Sequence, residues 1–131
     1  MGKLAVERVI DCAHGSNIHG HSFKINVTFS GPVINEMVSG IDFHNAISDV
    51  NEILDYLDKK YLNDVNGMGR ATVENIAIYI IKRLKCKYDS LYSVTVWEGL
   101  TRYAKIYASE VEWKLTAECC LDCCYEKEWA L

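Results

Sequence analysis

HGHSFKINVTFSG, residues 19 to 31, alternates between two kinds of side chain. The odd positions from 23 to 29 are apolar, and the even positions from 22 to 30 are polar. A period of two is typical of a strand with one buried and one exposed face. His19 and His21 extend the apolar series at its beginning. The segment therefore predicts a strand that carries two histidines at the end of its buried face.

A second strand is expected just before this one. Residues 3 to 14 also suit a strand, and only the short, turn-rich segment GSNI separates His14 from His19. A short connection of this composition favours a β-hairpin. The hairpin would bring His14 beside His19, so that three of the four histidines in the chain lie together.

Two amphipathic helices are predicted next, because apolar residues recur at spacings of three and four. Asp42 is placed to cap the first helix, and Thr72 to cap the second, where Glu74 complements the helix dipole. His44 falls at the start of the first helix. The first apolar stripe comprises Ala46, Ile47, Val50, Ile53, Leu54, Leu57 and Tyr61, and the second comprises Val73, Ile76, Ala77, Ile80, Ile81 and Leu84.

The segments LYSVTVWEG (91–99) and TRYAKIYASEVEWKL (101–115) are rich in Tyr, Val, Ile and Trp, and predict a second hairpin. The resulting order is ββααββ. This order favours an α+β domain, with a four-stranded antiparallel sheet covered on one face by two helices. We assign residues 1–115 to this domain and residues 116–131 to a cysteine-rich C-terminal tail.

Composition excludes several classes of protein. The chain has 131 residues, half of them hydrophobic, and a net charge of −4 with scattered basic residues. The basic residues do not form the continuous positive surface that would bind the phosphates of a nucleic acid, so we expect no nucleic-acid partner. No apolar run approaches the roughly 20 residues that cross a bilayer, and the beginning of the sequence lacks a signal-peptide core. We expect a cytoplasmic protein without membrane contact, whose cysteines are mostly reduced.

The three clustered histidines predict a metal site. His19 and His21 are two residues apart on a strand, so they project from one face and can reach the same ion. His14 would be the third ligand, leaving one position open, as in catalytic zinc sites. The alternative is that three surface histidines lie near each other by chance.

Other residues permit a function without requiring one. Glu98 ends an otherwise apolar strand face, where a carboxylate could accept two parallel N–H bonds from a planar ligand. It could equally be an ordinary glutamate at the rim of the sheet. Thr72 and Glu74 are explained adequately by helix capping.

Six short segments together resemble a known family. In order along the chain they are CAH, HGHSF, GIDF, LDKKYLN, ATVEN and VTVWEG. They resemble the signature segments of the 6-pyruvoyl-tetrahydropterin synthase and 6-carboxytetrahydropterin synthase family, over about residues 5 to 113. The resemblance implies the tunnelling fold (T-fold). It also implies trimeric barrels that stack into a homohexamer, with active sites between subunits.

The resemblance also implies roles for single residues. His14, His19 and His21 would hold Zn²⁺, and Glu98 would anchor the pterin ring, while Thr72 and Glu74 line the same pocket. The implied activity is that of a zinc-dependent lyase or synthase. Its substrate would be 7,8-dihydroneopterin triphosphate or a related dihydropterin.

The chain departs from the family where protons are transferred. Gly15 occupies the position of the usual catalytic cysteine, and neither Ser16 nor Asn17 supplies the glutamate of a family variant. Where the family has Asp-His, this chain has Asp58 followed by Lys59.

The candidates to replace the missing groups are Asp58, Cys12 and Lys59, unless the proton-transfer group is lost altogether. Cys12 shares the strand face of His14, although a buried filler is the common role of a free cysteine. Lys59 would act as a base only if burial favoured its neutral amine, and is otherwise a surface lysine.

Two further hypotheses stay open beside the synthase. The chain could be a non-catalytic homologue that binds pterin and zinc, or it could have dihydroneopterin aldolase-like activity. A weaker hypothesis is a metal-handling protein, because the tail holds Cys119, Cys120, Cys123 and Cys124 at spacings that suit thiolate ligands.

Overall fold

The structure is a computed structural model that describes residues 1–112. Its main strands are β1 (Gly2–His14), β2 (His19–Gly31), β5 (Leu91–Glu98) and β6 (Arg102–Tyr107), and its helices are α1 (Phe43–Leu57) and α2 (Val73–Leu84). A small hairpin of β3 (Val33–Ile34) and β4 (Met37–Val38) precedes α1. The predicted ββααββ order is confirmed, with this small hairpin added between β2 and α1.

The four long strands form one antiparallel sheet in the order β1-β2-β5-β6. In its register His14 lies opposite His19, and Phe23 lies opposite Glu98. The end of β1, the beginning of β2 and the end of β5 therefore meet at one end of the sheet. The hairpin that the sequence predicts brings the histidines together, and the neighbouring strand adds Glu98.

The core lies between the helices and one face of the sheet. All four apolar side chains of the alternating series in β2 are fully buried, as are Val94 and Val96 of β5 and most of the apolar stripe of each helix. Burying such a side chain contributes roughly 1.5–3 kcal/mol to folding. Each helix also begins at its predicted cap: the Asp42 side chain accepts from the N–H of Asn45, and Thr72 accepts from that of Asn75.

Two predicted elements are shorter than expected. Helix α1 ends at Leu57, and Lys59 has a left-handed backbone with φ of 68°, so Tyr61 is not part of the helical stripe. Strand β6 ends at Tyr107, and a 3-10 turn follows at Ala108–Glu110. Trp113 to Leu115 and the predicted tail, residues 116–131, lie outside the described residues.

The segment after α1 forms hydrogen bonds with β1 near the histidines. The N–H of Ala13 donates to the Lys60 carbonyl at 2.9 Å, and the N–H of Lys59 donates to the Asp11 carbonyl at 2.7 Å. The Tyr61 hydroxyl donates to the carbonyl of Gly15 at 2.7 Å. These bonds satisfy part of the open edge of β1 and hold the hairpin turn. Between residues 1 and 112, no helix has the length and apolar character needed to cross a membrane.

Candidate metal centre and adjoining cavity

The three predicted metal ligands lie in contact at the end of the β1–β2 hairpin. The ring centroids of His14 and His19 are 4.6 Å apart, those of His14 and His21 are 4.9 Å apart, and those of His19 and His21 are 4.8 Å apart. One ring nitrogen from each lies within 4.8 Å of the others. The structure thus brings together the three side chains that the sequence grouped.

Backbone carbonyls orient two of these rings. The carbonyl of Ala71 lies 2.7 Å from His14 Nδ1, and that of Asn17 lies 2.6 Å from His19 Nδ1. A carbonyl oxygen only accepts hydrogen bonds, so each Nδ1 carries the hydrogen and each neutral ring keeps its lone pair on Nε2. Metal-binding histidines are commonly oriented by this kind of hydrogen bond.

Glu98 lies against the histidines. Its Oε2 is 3.0 Å from His14 Nε2 and 3.7 Å from His21 Nε2, while its Oε1 accepts from an Arg102 N–H at 2.7 Å. His14 Nε2 is buried and forms no hydrogen bond. With its hydrogen on Nδ1 alone, the form that binds metals, His14 turns a lone pair toward a carboxylate oxygen, and a cation between the two atoms would stabilise that arrangement. The residues present fit a metal ion.

A cavity of about 490 Å³ adjoins the histidines. Its lining includes His14, Thr72, Glu74 and Glu98, so the structure places the predicted substrate-binding residues around one space. Thr72 also caps α2, and Glu74 lies in its first turn, as expected from the sequence alone.

Two lining residues were missed by the sequence analysis. Arg70 belongs to the loop before α2, and Asn63 lies in a 3-10 turn, where its side chain accepts from the N–H of Gly15 at 2.8 Å. Neither has a periodic pattern around it. The one available signal was their position inside or beside the segments LDKKYLN and ATVEN.

The three candidate proton-transfer residues lie elsewhere. Cys12 and Lys59 line a second cavity of about 650 Å³, together with His21, and neither belongs to the lining of the cavity beside Glu98. The Lys59 side chain is exposed, with Nζ 3.7 Å from an Asp11 carboxylate oxygen, so it lacks the burial that its role as a base requires. Asp58 accepts from the N–H of Asp11 at 2.9 Å. Their catalytic roles stay predictions.

Cys12 is packed as a core residue. Its thiol donates to the carbonyl of Leu57 at 3.2 Å, and burial raises its pKa from 9.0 to about 11. The thiolate is the reactive form of cysteine. A pKa of about 11 makes the thiolate roughly 100-fold rarer at pH 8 than in an ordinary cysteine.

We therefore expect slow alkylation of Cys12 in the folded protein. Iodoacetamide at pH 8 should modify Cys12 at least about 50-fold more slowly in the folded chain than in urea, by the same thiolate argument. Peptide mass spectrometry, which separates Cys12 from the other cysteines, measures both rates. Equal rates would show an accessible thiolate and would strengthen its candidacy as the missing catalytic cysteine.

Comparison with known proteins gives the family. The model of the 6-pyruvoyl tetrahydropterin synthase family matches residues 5–109. The chain belongs to this family. "Putative 6-carboxy-5,6,7,8-tetrahydropterin synthase" of Archaeoglobus fulgidus is 36% identical over 90 residues, which cover 68% of this chain and 75% of that protein.

Solved structures of pterin synthases have the same fold as this chain. The 6-pyruvoyl tetrahydropterin synthase of Caenorhabditis elegans is 25% identical, with a TM-score of 0.69 over 82% of this chain and 96% of that one. The enzyme of the same name from Plasmodium vivax is 20% identical, with a TM-score of 0.63 over 81% and 96%. The sheet and its two helices are thus the T-fold of this family, as the six segments suggested.

Proposed function

We propose that this member of the family is a zinc-dependent lyase, acting on 7,8-dihydroneopterin triphosphate or a related dihydropterin. The observation that carries the proposal is the cluster of three histidines, whose ring nitrogens lie within 4.8 Å of one another beside a cavity that Glu98 also lines. The relatives described above are pterin synthases, which supports the substrate class.

Each part of the site has a role in this proposal. His14, His19 and His21 hold the zinc. When bound, zinc polarises side-chain oxygens of the substrate, so that neighbouring protons leave more readily. Thr72 and Glu74 line the space for the pterin ring.

Two charged residues would complete the recognition of the substrate. Glu98 is the residue that would accept the N–H groups of the ring edge. The guanidinium of Arg70, in the same lining, suits a phosphate group.

A non-catalytic pterin- and zinc-binding protein is the second candidate. It is favoured by the placement of Cys12, Asp58 and Lys59, because none of these three lines the cavity beside Glu98. The thiol of Cys12 is buried as well. In this alternative the protein keeps the pocket for the pterin and the metal but no longer catalyses a reaction.

We also propose the assembly and location that are typical of the family. The protein would form a cytoplasmic homohexamer of two stacked trimers, with active sites between subunits. Such an assembly could bring a proton-transfer group from a neighbouring subunit to the cavity. Sedimentation of the purified protein would give the number of subunits directly.

Product analysis tests the proposed function. Zinc-loaded protein is incubated with 7,8-dihydroneopterin triphosphate and, separately, with 7,8-dihydroneopterin, and products are identified by mass. Released triphosphate with a pyruvoyl pterin, or acetaldehyde with a carboxypterin, would confirm a synthase. Glycolaldehyde with a hydroxymethyl pterin would show aldolase-like activity. Unchanged substrates that nevertheless bind would contradict the lyase and support the binding protein.

A further inference from the structure

We propose that Tyr61 and Asn63 are positioning residues of the metal site, which hold the hairpin turn between His14 and His19 so that the histidine rings converge before a metal ion binds. This inference rests on the proposed function, because it requires that the histidines bind a metal. It assigns a role to two side chains that are not metal ligands themselves.

Gly15, the first residue of this turn, is held at both of its backbone groups. Its N–H donates to Asn63 Oδ1 at 2.8 Å, and its carbonyl accepts from the Tyr61 hydroxyl at 2.7 Å. The two side chains lie 48 and 46 residues away along the chain, so these bonds belong to the tertiary fold and not to the hairpin itself. They satisfy backbone groups that strand pairing leaves free, because the β1–β2 ladder ends at His14 and His19.

The position of Gly15 determines the positions of both neighbouring ligands. His14 precedes it directly in the sequence, and the His19 ring packs against it, since a Cβ placed on Gly15 would lie 2.9 Å from His19 Cε1. Gly15 also has a left-handed backbone, with φ of 93°. A shift of the Gly15 backbone would therefore move His14 and remove the surface against which the His19 ring rests.

The turn contributes little packing of its own. Ser16, Asn17 and Ile18 are exposed, and so is His19. A segment with few buried contacts opens easily unless its backbone is bonded to the rest of the fold. The two hydrogen bonds to Gly15 supply this restraint.

The segment that supplies the two side chains is itself anchored. Leu62, which lies between them, is fully buried. Tyr61 forms a parallel β-bridge with Ala13 of β1. Both side chains therefore reach Gly15 from a support that the core and β1 hold in place. Ligands that are arranged in advance lose less conformational freedom when a metal binds, which raises the affinity.

Metal affinity of variants tests this inference without any turnover assay. Tyr61→Phe removes only the hydroxyl, and Asn63→Ala removes the acceptor, whereas Asn63→Asp keeps an oxygen that accepts from the N–H of Gly15. Tyr92→Phe is the matched control, because it removes an exposed hydroxyl at the other end of β5 from Glu98. Zinc is titrated against a chromophoric chelator, and the visible spectrum of the Co²⁺-loaded protein reports the arrangement of the ligands. Thermal unfolding shows that each variant is folded.

The expected result is a loss of zinc affinity of at least about tenfold in Tyr61→Phe and in Asn63→Ala, with a changed Co²⁺ spectrum, since outer-shell partners of metal ligands have effects of this size. Asn63→Asp and Tyr92→Phe should keep the affinity and the spectrum of the wild type.

A smaller loss in folded Tyr61→Phe and Asn63→Ala would overturn the inference, and so would an equal loss in Asn63→Ala and Asn63→Asp. Lower thermal stability with an unaltered spectrum would show a structural role alone, and would overturn it as well. In each of these cases, loss of zinc binding in His14→Ala would leave the proposed metal site standing. A wild-type protein that binds neither Zn²⁺ nor Co²⁺ would overturn both this inference and the proposed function.

Discussion

Replacing His14 by alanine is expected to lower zinc affinity by at least about 100-fold, the upper end of the loss caused by changing an outer-shell residue of a metal site. The reason is geometric, because the His14 ring lies against both other histidine rings and its Nε2 is 3.0 Å from Glu98. The hydrogen bond from its Nδ1 to Ala71 already directs the free nitrogen at the site. Turnover of any dihydropterin should be lost together with the metal.

His44→Ala provides the matched control for this prediction. His44 lies in the first turn of α1, outside the cluster of three, so its removal should leave one zinc per chain. Zinc content after dialysis and affinity by chelator competition are the measurements. Wild-type affinity in His14→Ala, or equal losses in both variants, would show that the cluster is not the metal site.

Replacing Phe23 by alanine is expected to destabilise the fold by about 3–5 kcal/mol, the range for truncating a buried phenylalanine. Phe23 is 0% exposed and lies in β2, toward the end of the sheet that carries the histidines. Its ring also packs edge-on against His14, with centroids 5.4 Å apart, and lies 5.8 Å from the His21 ring. The cavity left behind should therefore remove packing that holds His14 and His21, two of the proposed metal ligands, in place.

Urea unfolding of the zinc-free protein measures this loss directly. Phe23→Leu, which keeps most of the apolar volume, should lose clearly less stability than Phe23→Ala. Leu100→Ala should stay within about 0.5 kcal/mol of wild type, because Leu100 is 94% exposed in the β5–β6 turn. A loss in Phe23→Ala no larger than that in Leu100→Ala would contradict the packing described for this face of the sheet.

Most of the fold was predictable because its signals are local. The alternation in residues 22 to 30 gives β2 and its buried face, and the four-residue gap after His14 gives the hairpin. Asp42 and Thr72 mark both helix starts, since capping depends on residues close in sequence. The histidine cluster follows from the same hairpin, without knowledge of any distant contact.

The rest depends on contacts between segments far apart in the sequence. Tyr61 fits the helical stripe of α1 by spacing alone, yet the left-handed Lys59 turns the chain and sends Tyr61 to Gly15, 46 residues away. The approach of Glu98 to His14 depends in the same way on β2 pairing with β5. A local sequence pattern predicts neither the contact of Tyr61 with Gly15 nor that of Glu98 with His14. The sequence therefore indicated Glu98 only as a possible pterin ligand.

We propose above that His14, His19 and His21 form one metal site beside a cavity for the pterin. Diffraction from crystals of the zinc-loaded protein, recorded on both sides of the zinc absorption edge, shows where the metal binds. We expect one strong anomalous peak per chain, about 2.0–2.1 Å from a nitrogen of each of the three histidines. Full zinc occupancy at any other position, with these three rings unligated, would contradict it.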